Sequence, residues 1–364
     1  MEVLSTPHLS QGPKLPEFER AVAGRAGVRH AVAVNSGTSG LHLAVKAAGL
    51  EPGDEVITTP FSFVASANCL LYEGAVPRFV DIDPDTYNID LREIERAITS
   101  KTRAILPVHV FGRPCLMYEI LDLASRHGLV VIEDACEALG ARYHGRAAGS
   151  FGQTGVFAFY PNKQVTTGEG GAIATDDAGI ATLCRSWRNQ GRADNGAWLE
   201  HERLGYNYRL SDLNCALGVA QLSRLEDILG RRAAVADRYT EILLDRVPQV
   251  VPPAPAAPDT VISWFVYVVR LRDEFSREDR DGVLRDLQSA GIGCRNYFSP
   301  IHLQPFYRRK FGFTPGDFPV SERVSERTIA LPFFGELTDR DILTVCDALA
   351  RAIGQRKCMC AQAT

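Results

Sequence analysis

The chain has 364 residues, 45% of them hydrophobic and 23% charged, with a formal net charge of −4. That length accommodates two domains, or one large domain with an appendage. The acidic balance provides no basic field for nucleic acid or anionic lipid, and no run approaches the roughly 20 apolar residues that span a bilayer.

At the start, MEVLSTPHLSQGPK lacks the charged and apolar regions of a signal peptide. From about residue 28 to 240, short apolar runs alternate with helical patterns. The runs are His30–Val34, Glu55–Thr59, Pro77–Val80, Ala104–His109, Leu129–Glu133, Gly155–Tyr160 and Gly171–Thr175. Helices are expected between them, over Gly40–Ala48, Leu91–Thr99 and Met117–His127. Buried runs separated by helices predict an α/β fold with a mainly parallel, doubly wound sheet. A long amphipathic pattern covers Asn214–Asp245, offering its apolar face either to a partner or to the chain itself. Val251-Pro-Pro-Ala-Pro-Ala-Ala-Pro258 then reads as a linker. A strand over Ser263–Leu271, a helix over Ser276–Ala290 capped by Ser276 and a last helix over Thr338–Ile353 predict a small α+β domain. Arg308-Arg309-Lys310 reads as a solvated face. The expected organisation is a large domain over 1–245, a small domain over 246–357 and a tail over 358–364. Nine cysteines, an odd number without paired CxxC motifs, predict no metal site and a reducing cytoplasm, with Cys358 and Cys360 in the tail.

Three segments carry chemistry. Asn35-Ser-Gly-Thr-Ser-Gly40 follows a strand and opens a helix, where backbone N–H groups can approach an anion; it matches neither GxxxxGK[ST] nor GxGxxG. Val130-Val-Ile-Glu-Asp134 ends an apolar strand in two carboxylates, which point to opposite faces and so do not act as a pair. In Phe157-Ala-Phe-Tyr-Pro-Asn-Lys163, a lysine follows an apolar strand and precedes a glycine cluster. Each has a bland reading: a turn, a helix cap, an exposed lysine. Together they supply a phosphate cradle, an acid for a pyridinium nitrogen and a lysine nucleophile, the parts that pyridoxal 5'-phosphate requires.

At these residues the chain resembles the DegT/StrS-type nucleotide-sugar aminotransferases of the fold-type-I pyridoxal-phosphate class. The similarity runs through NSGTSGLHLA, GDEVITTPFSFVASAN, FVDIDPDTYNID, ILPVHVFG, VIEDACEALGA, FAFYPNKQVTTGEGGAIATDD, LGYNYRLSDLNCALG and YFSPIHLQPFY. The resemblance implies that Lys163 forms the Schiff base and Asp134 pairs with the ring nitrogen. It implies that Gly37, Thr38 and Ser39 hold the phosphate, Phe63 stacks on the ring and Glu137 lies beside the phenolic oxygen. Asn207 of GYNYR would reach the phosphate of a neighbouring subunit, making a homodimer with shared sites. Tyr297 and His302 would face the substrate; His109 is read equally as a site residue or a core histidine.

The implied reaction moves an amino group from glutamate to a nucleotide-linked ketosugar. The 4-keto form is favoured because Glu137, where glutamine is usual, is similar to members that aminate C4. The implied setting is aminosugar biosynthesis for polysaccharide or antibiotic. One departure stands out: a serine five residues before the lysine touches the phosphate in the family, and here it is Ala158, leaving that contact to another group such as Gln164. Three alternatives stay open. A related sugar dehydratase would carry histidine in place of Lys163. A keto-cyclitol aminotransferase would share the cofactor motifs. A non-catalytic sugar sensor would need neither Lys163 nor Asp134.

Overall fold

Seven strands make the central sheet of the computed structural model, which describes residues 2–193 and 200–362. In chain order they begin with β1 (His30–Val34), β2 (Glu55–Thr58), β3 (Val76–Phe79), β4 (Thr102–Ile105) and β5 (Val130–Asp134). A short hairpin of β6 (Arg142–Tyr143) and β7 (Arg146–Ala147) intervenes before β8 (Thr154–Ala158) and β9 (Gly171–Thr175). The sheet order is β1-β9-β8-β5-β4-β2-β3, parallel throughout except that β9 is antiparallel to both its neighbours. The expected mainly parallel sheet is therefore present. Because β9 reverses between β1 and β8, those two strands run the same way, and the carboxyl ends of β1, β5 and β8 share one edge. Crevices at that edge are where open α/β sheets bind ligands.

Local chemistry sets the element ends. Ser36 caps the helix Gly37–Ala47 by accepting the Ser39 N–H. Gly128, with φ 64°, closes the helix Met117–His127 in the left-handed conformation that glycine adopts without strain. Ser276 caps Arg277–Ser289 through a full capping box with Asp279.

The amphipathic pattern over Asn214–Asp245 resolves into two helices, Asp212–Leu222 and Leu225–Arg246. The break at Ser223-Arg224 turns Leu222 and Leu225 into one core beneath the sheet, while Val235, Ala236, Tyr239, Ile242 and Leu243 pack in a second core. Much of the apolar face is thus used within the chain. The second core is built on a small antiparallel sheet of β10 (Val250–Val251), β12 (Tyr267–Leu271) and β13 (Thr328–Leu331). Between β10 and β12, β11 (Thr260–Val261) pairs with β6. The Pro/Ala stretch is not a free tether: Arg113, itself buried, donates to the carbonyls of Ala254 and Pro255. The last helix runs from Asp339 to Gln362, so residues 358–362 continue it; the side chains of Cys358 and Cys360 lie outside the described residues.

Candidate active site

A cleft of ≈ 530 Å³ opens at the carboxyl edge of the sheet, and both of its walls are informative. One comes from the central sheet: Ser36, Gly37 and Thr38 after β1, Asp134 at the end of β5, Cys136 and Glu137 just beyond, and Ala158 at the end of β8. The other comes from Phe265 and Tyr297. Lys163 reaches into the space between, with its side chain 13% exposed.

Asp134 is 5% exposed and forms no ion pair among the described residues. Its Oδ2 accepts the Ser66 hydroxyl at 2.7 Å and its Oδ1 the Cys136 N–H at 3.1 Å. Its neighbour Glu133 points away, as strand alternation requires. Glu133 accepts the N–H groups of Gly149 and Gly152, both at 2.7 Å, and faces His109 Nε2 at 3.0 Å. His109 Nδ1 accepts the Cys115 N–H, so His109 belongs to the core and not to the cleft.

Lys163 Nζ lies 3.5 Å from Glu137 Oε1 and 4.0 Å from the centre of the buried Phe265 ring. Glu137 Oε2 accepts the Phe111 N–H at 2.9 Å, and burial pushes its carboxyl above the ordinary range. Tyr297 is also shifted upward, by burial first and then by the charge of Glu137. Phe63 stands at the rim, 61% exposed.

The cradle is close-packed. A Cβ on Gly37 would lie 2.7 Å from Ala158 Cβ and 3.0 Å from Cys136 Sγ, so only glycine fits there. The backbone at the helix start is thereby left open to an anion.

Of the residues expected from sequence, Gly37, Thr38, Phe63, Asp134, Glu137, Lys163 and Tyr297 line this one cleft. Others do not. Ser39 turns inward, its hydroxyl bonded to Asn35 Oδ1 at 2.7 Å and its N–H to the cap Ser36, so it is not a phosphate ligand. His302 is 0% exposed, bonded to Glu322 at 2.9 Å and edge-on to Phe318, and it lines no part of the cleft. Gln164 is held by the Glu137 carbonyl and by Ser263, so it cannot replace the serine missing at Ala158. Asn207 is exposed and absent from its own chain's cleft, its carbonyl 3.5 Å from Asn35 Nδ2. Sequence reasoning missed Ser62, Ser66 and Phe265. The serines lie within PFSFVASAN, a segment singled out for Phe63 alone.

These residues fit pyridoxal phosphate. A buried carboxylate without a cation is costly unless a ligand brings the positive charge, and Asp134 is such a carboxylate at the cleft floor. The chain belongs to the DegT/DnrJ/EryC1/StrS aminotransferase family, whose profile matches residues 1–350. It is a pyridoxal-phosphate-dependent sugar aminotransferase. It is 40% identical to the GDP-perosamine synthase of Caulobacter vibrioides, covering 97% of this chain and 94% of that protein. It is 39% identical to the spore coat polysaccharide biosynthesis protein SpsC of Bacillus subtilis, over 96% of this chain and 92% of SpsC. The crystal structure of S. venezuelae DesV in complex with a ketimine intermediate superposes with a TM-score of 0.89 at 36% identity, covering 96% of this chain and 92% of DesV. Among the described residues no helix is long and apolar enough to cross a membrane.

Proposed function

We propose that the enzyme transfers an amino group from glutamate to a nucleotide-linked ketosugar, with the 4-keto form favoured, in aminosugar biosynthesis. The observation that carries this reading is that Lys163 and Asp134 face one cleft whose third side is the open helix start at Gly37 and Thr38. When bound, pyridoxal phosphate supplies an electron-poor ring that takes up the electron pair left behind when a substrate carbon loses its proton. Asp134 holds the proton on the ring nitrogen, and the Ser66 hydroxyl fixes its carboxylate. The backbone of Gly37 and Thr38 binds the phosphate, and Phe63 covers the ring at the cleft mouth. Lys163 Nζ moves the proton at the substrate carbon, with Glu137 beside it to share charge.

The nucleotide-linked acceptor is supported by similarity to the GDP-perosamine synthase of Caulobacter vibrioides and by an aromatic groove of ≈ 740 Å³ that joins the cleft at Phe63 and Phe298. The 4-keto preference rests on resemblance alone, through Glu137. We infer a homodimer in which Asn207, exposed and outside its own cleft, completes the partner's phosphate site. Borohydride treatment is expected to bleach the yellow protein and leave the label on Lys163. With glutamate, it should aminate UDP-, GDP- or dTDP-linked 4-keto-6-deoxyhexoses in preference to the 3-keto isomers and scyllo-inosose, scored by product mass. Amination of scyllo-inosose alone would overturn the nucleotide-sugar reading while leaving transamination standing.

A further inference from the structure

Beyond Lys163 the cleft continues into a pocket of ≈ 450 Å³, sharing Asn162, Lys163, Phe265 and Tyr297 with it. The charge of this pocket is one-sided. Lys163, Arg232 and Arg295 line it, and no carboxylate does. Among the described residues neither arginine makes an ion pair. Arg232 is 8% exposed; it donates from Nε to the Trp264 carbonyl and from Nη2 to the Phe265 carbonyl, both at 2.7 Å, and its guanidinium lies 4.9 Å from the centre of the Phe333 ring. These contacts fix it as a rigid cation at the wall. Arg295 is exposed, and its side chain donates from Nη1 to the carbonyl of Cys294. Its bridge to Ala330 anchors the backbone beside the small sheet. With Lys163 already facing Glu137, the two arginines in a pocket lined by no carboxylate are the signature of an anionic ligand.

Resting on the reading of this enzyme as an aminotransferase, we propose that this pocket receives the side-chain carboxylate of a dicarboxylic amino donor, with Arg295 as the residue that binds it and Arg232 as the fixed cation beside it. The nucleotide pyrophosphate is the other anion in the reaction. It has its own route: the ≈ 740 Å³ groove leaves the cleft by a different wall, carries aromatic surfaces for a base and sugar, and holds Lys310. The cationic pocket is smaller, and it begins at Lys163, whose place on the cofactor the donor's amine must take.

Arg295→Gln in the holoenzyme tests this. The donor half-reaction is followed by the change in cofactor absorbance, with glutamate and separately with alanine, and the acceptor half-reaction is followed with a nucleotide-linked ketosugar. Binding of glutarate, an unreactive dicarboxylate, is measured by calorimetry. Loss of a charge-assisted contact should cut kcat/KM for glutamate by about 10- to 100-fold and weaken glutarate in step. Alanine and the acceptor half-reaction should change by less than about twofold, and Arg295→Lys should recover part of the loss. Unchanged glutamate and glutarate, an equal loss for alanine, or a loss confined to the acceptor half-reaction would each overturn the assignment. A wild-type protein that bound glutarate through Arg295 yet turned over no amino acid would refute the reading of the site and leave the pocket standing.

Discussion

Ser66 donates its hydroxyl hydrogen to Asp134 Oδ2 at 2.7 Å. That hydrogen being used, Ser62, at 2.8 Å, is the donor to Ser66, so two buried serines form a relay ending on the acid beneath the cofactor site. Ser66 is therefore a positioning residue for Asp134. Ser66→Ala is expected to weaken cofactor binding by about 10- to 100-fold, since a hydrogen bond to a charged group contributes roughly 1.5–3 kcal/mol. The melting temperature of the apoprotein should fall by only a few degrees. A cofactor dissociation constant equal to wild type, read by fluorescence quenching, would remove Ser66 from this role.

Asp134→Asn separates charge from shape. Asparagine keeps the shape and can accept the Cys136 N–H, while its NH2 reverses the bond to Ser66, and it cannot hold a proton on the ring nitrogen. Folding should survive, and the rate of the donor half-reaction should drop by at least about 100-fold. Near-wild-type turnover would mean that some other group neutralises the ring.

At the other end of the cleft, Gly37 meets Ala158. The Cβ of Gly37→Ala would sit 2.7 Å from Ala158 Cβ, forcing the helix start away from β8. Cofactor affinity should fall about 10-fold or more. Ala158→Gly in the same chain removes the nearer clash and leaves Cys136 Sγ at 3.0 Å, so it should restore part of the loss. The double-mutant coupling is the measurement: strictly additive effects would show that the two positions do not compete for space.

What could be read from the sequence divides along a physical line. β1, β9 and the helix Met117–His127 fall where their apolar patterns put them, and Asp134, Lys163 and Gly37 were legible because strand ends and helix starts are local features. Ser66 and Phe265 were not, since both reach the site through tertiary packing: Ser66 on the helix Ala65–Tyr72, Phe265 on the return crossing just before β12. Ser39 and Gln164 failed for the converse reason. Each is adjacent to a site residue in sequence, yet each spends its polar atoms on neighbours within the chain.

Sharing of the site between subunits is open to complementation. Lys163→Ala chains lack the nucleophile, and Asn207→Ala chains lack the contact offered to the partner. If Asn207→Ala is itself inactive, mixing the two should regenerate one competent site per heterodimer, approaching a quarter of wild-type specific activity at statistical exchange. Failure to recover activity after verified subunit exchange would place Asn207 in the site of its own chain or outside both.

His302 calls for a stability experiment more than a kinetic one. Its Nε2 bonds Glu322 Oε1 at 2.9 Å, while Nδ1 is buried without a partner among the described residues, so the neutral ring is the form this packing accepts. Burial, only partly offset by Glu322, lowers its pKa from the ordinary 6.5. The unfolded chain then binds a proton at this position more readily than the folded one. Stability from His302 is fully present above about 6.5 and is lost as pH falls from there through the folded pKa. His42, also lowered by burial, adds to the same slope. Glutamine can keep a donor for Glu322 without a titrating ring. His302→Gln should therefore flatten part of the decline in urea midpoint between about pH 7 and pH 5, while costing on the order of 1–3 kcal/mol at pH 7.5 through altered packing against Phe318. KM values for glutamate and ketosugar should stay within about twofold. A large rise in the ketosugar KM with an unchanged pH slope would return His302 to the substrate, against its position behind Phe318.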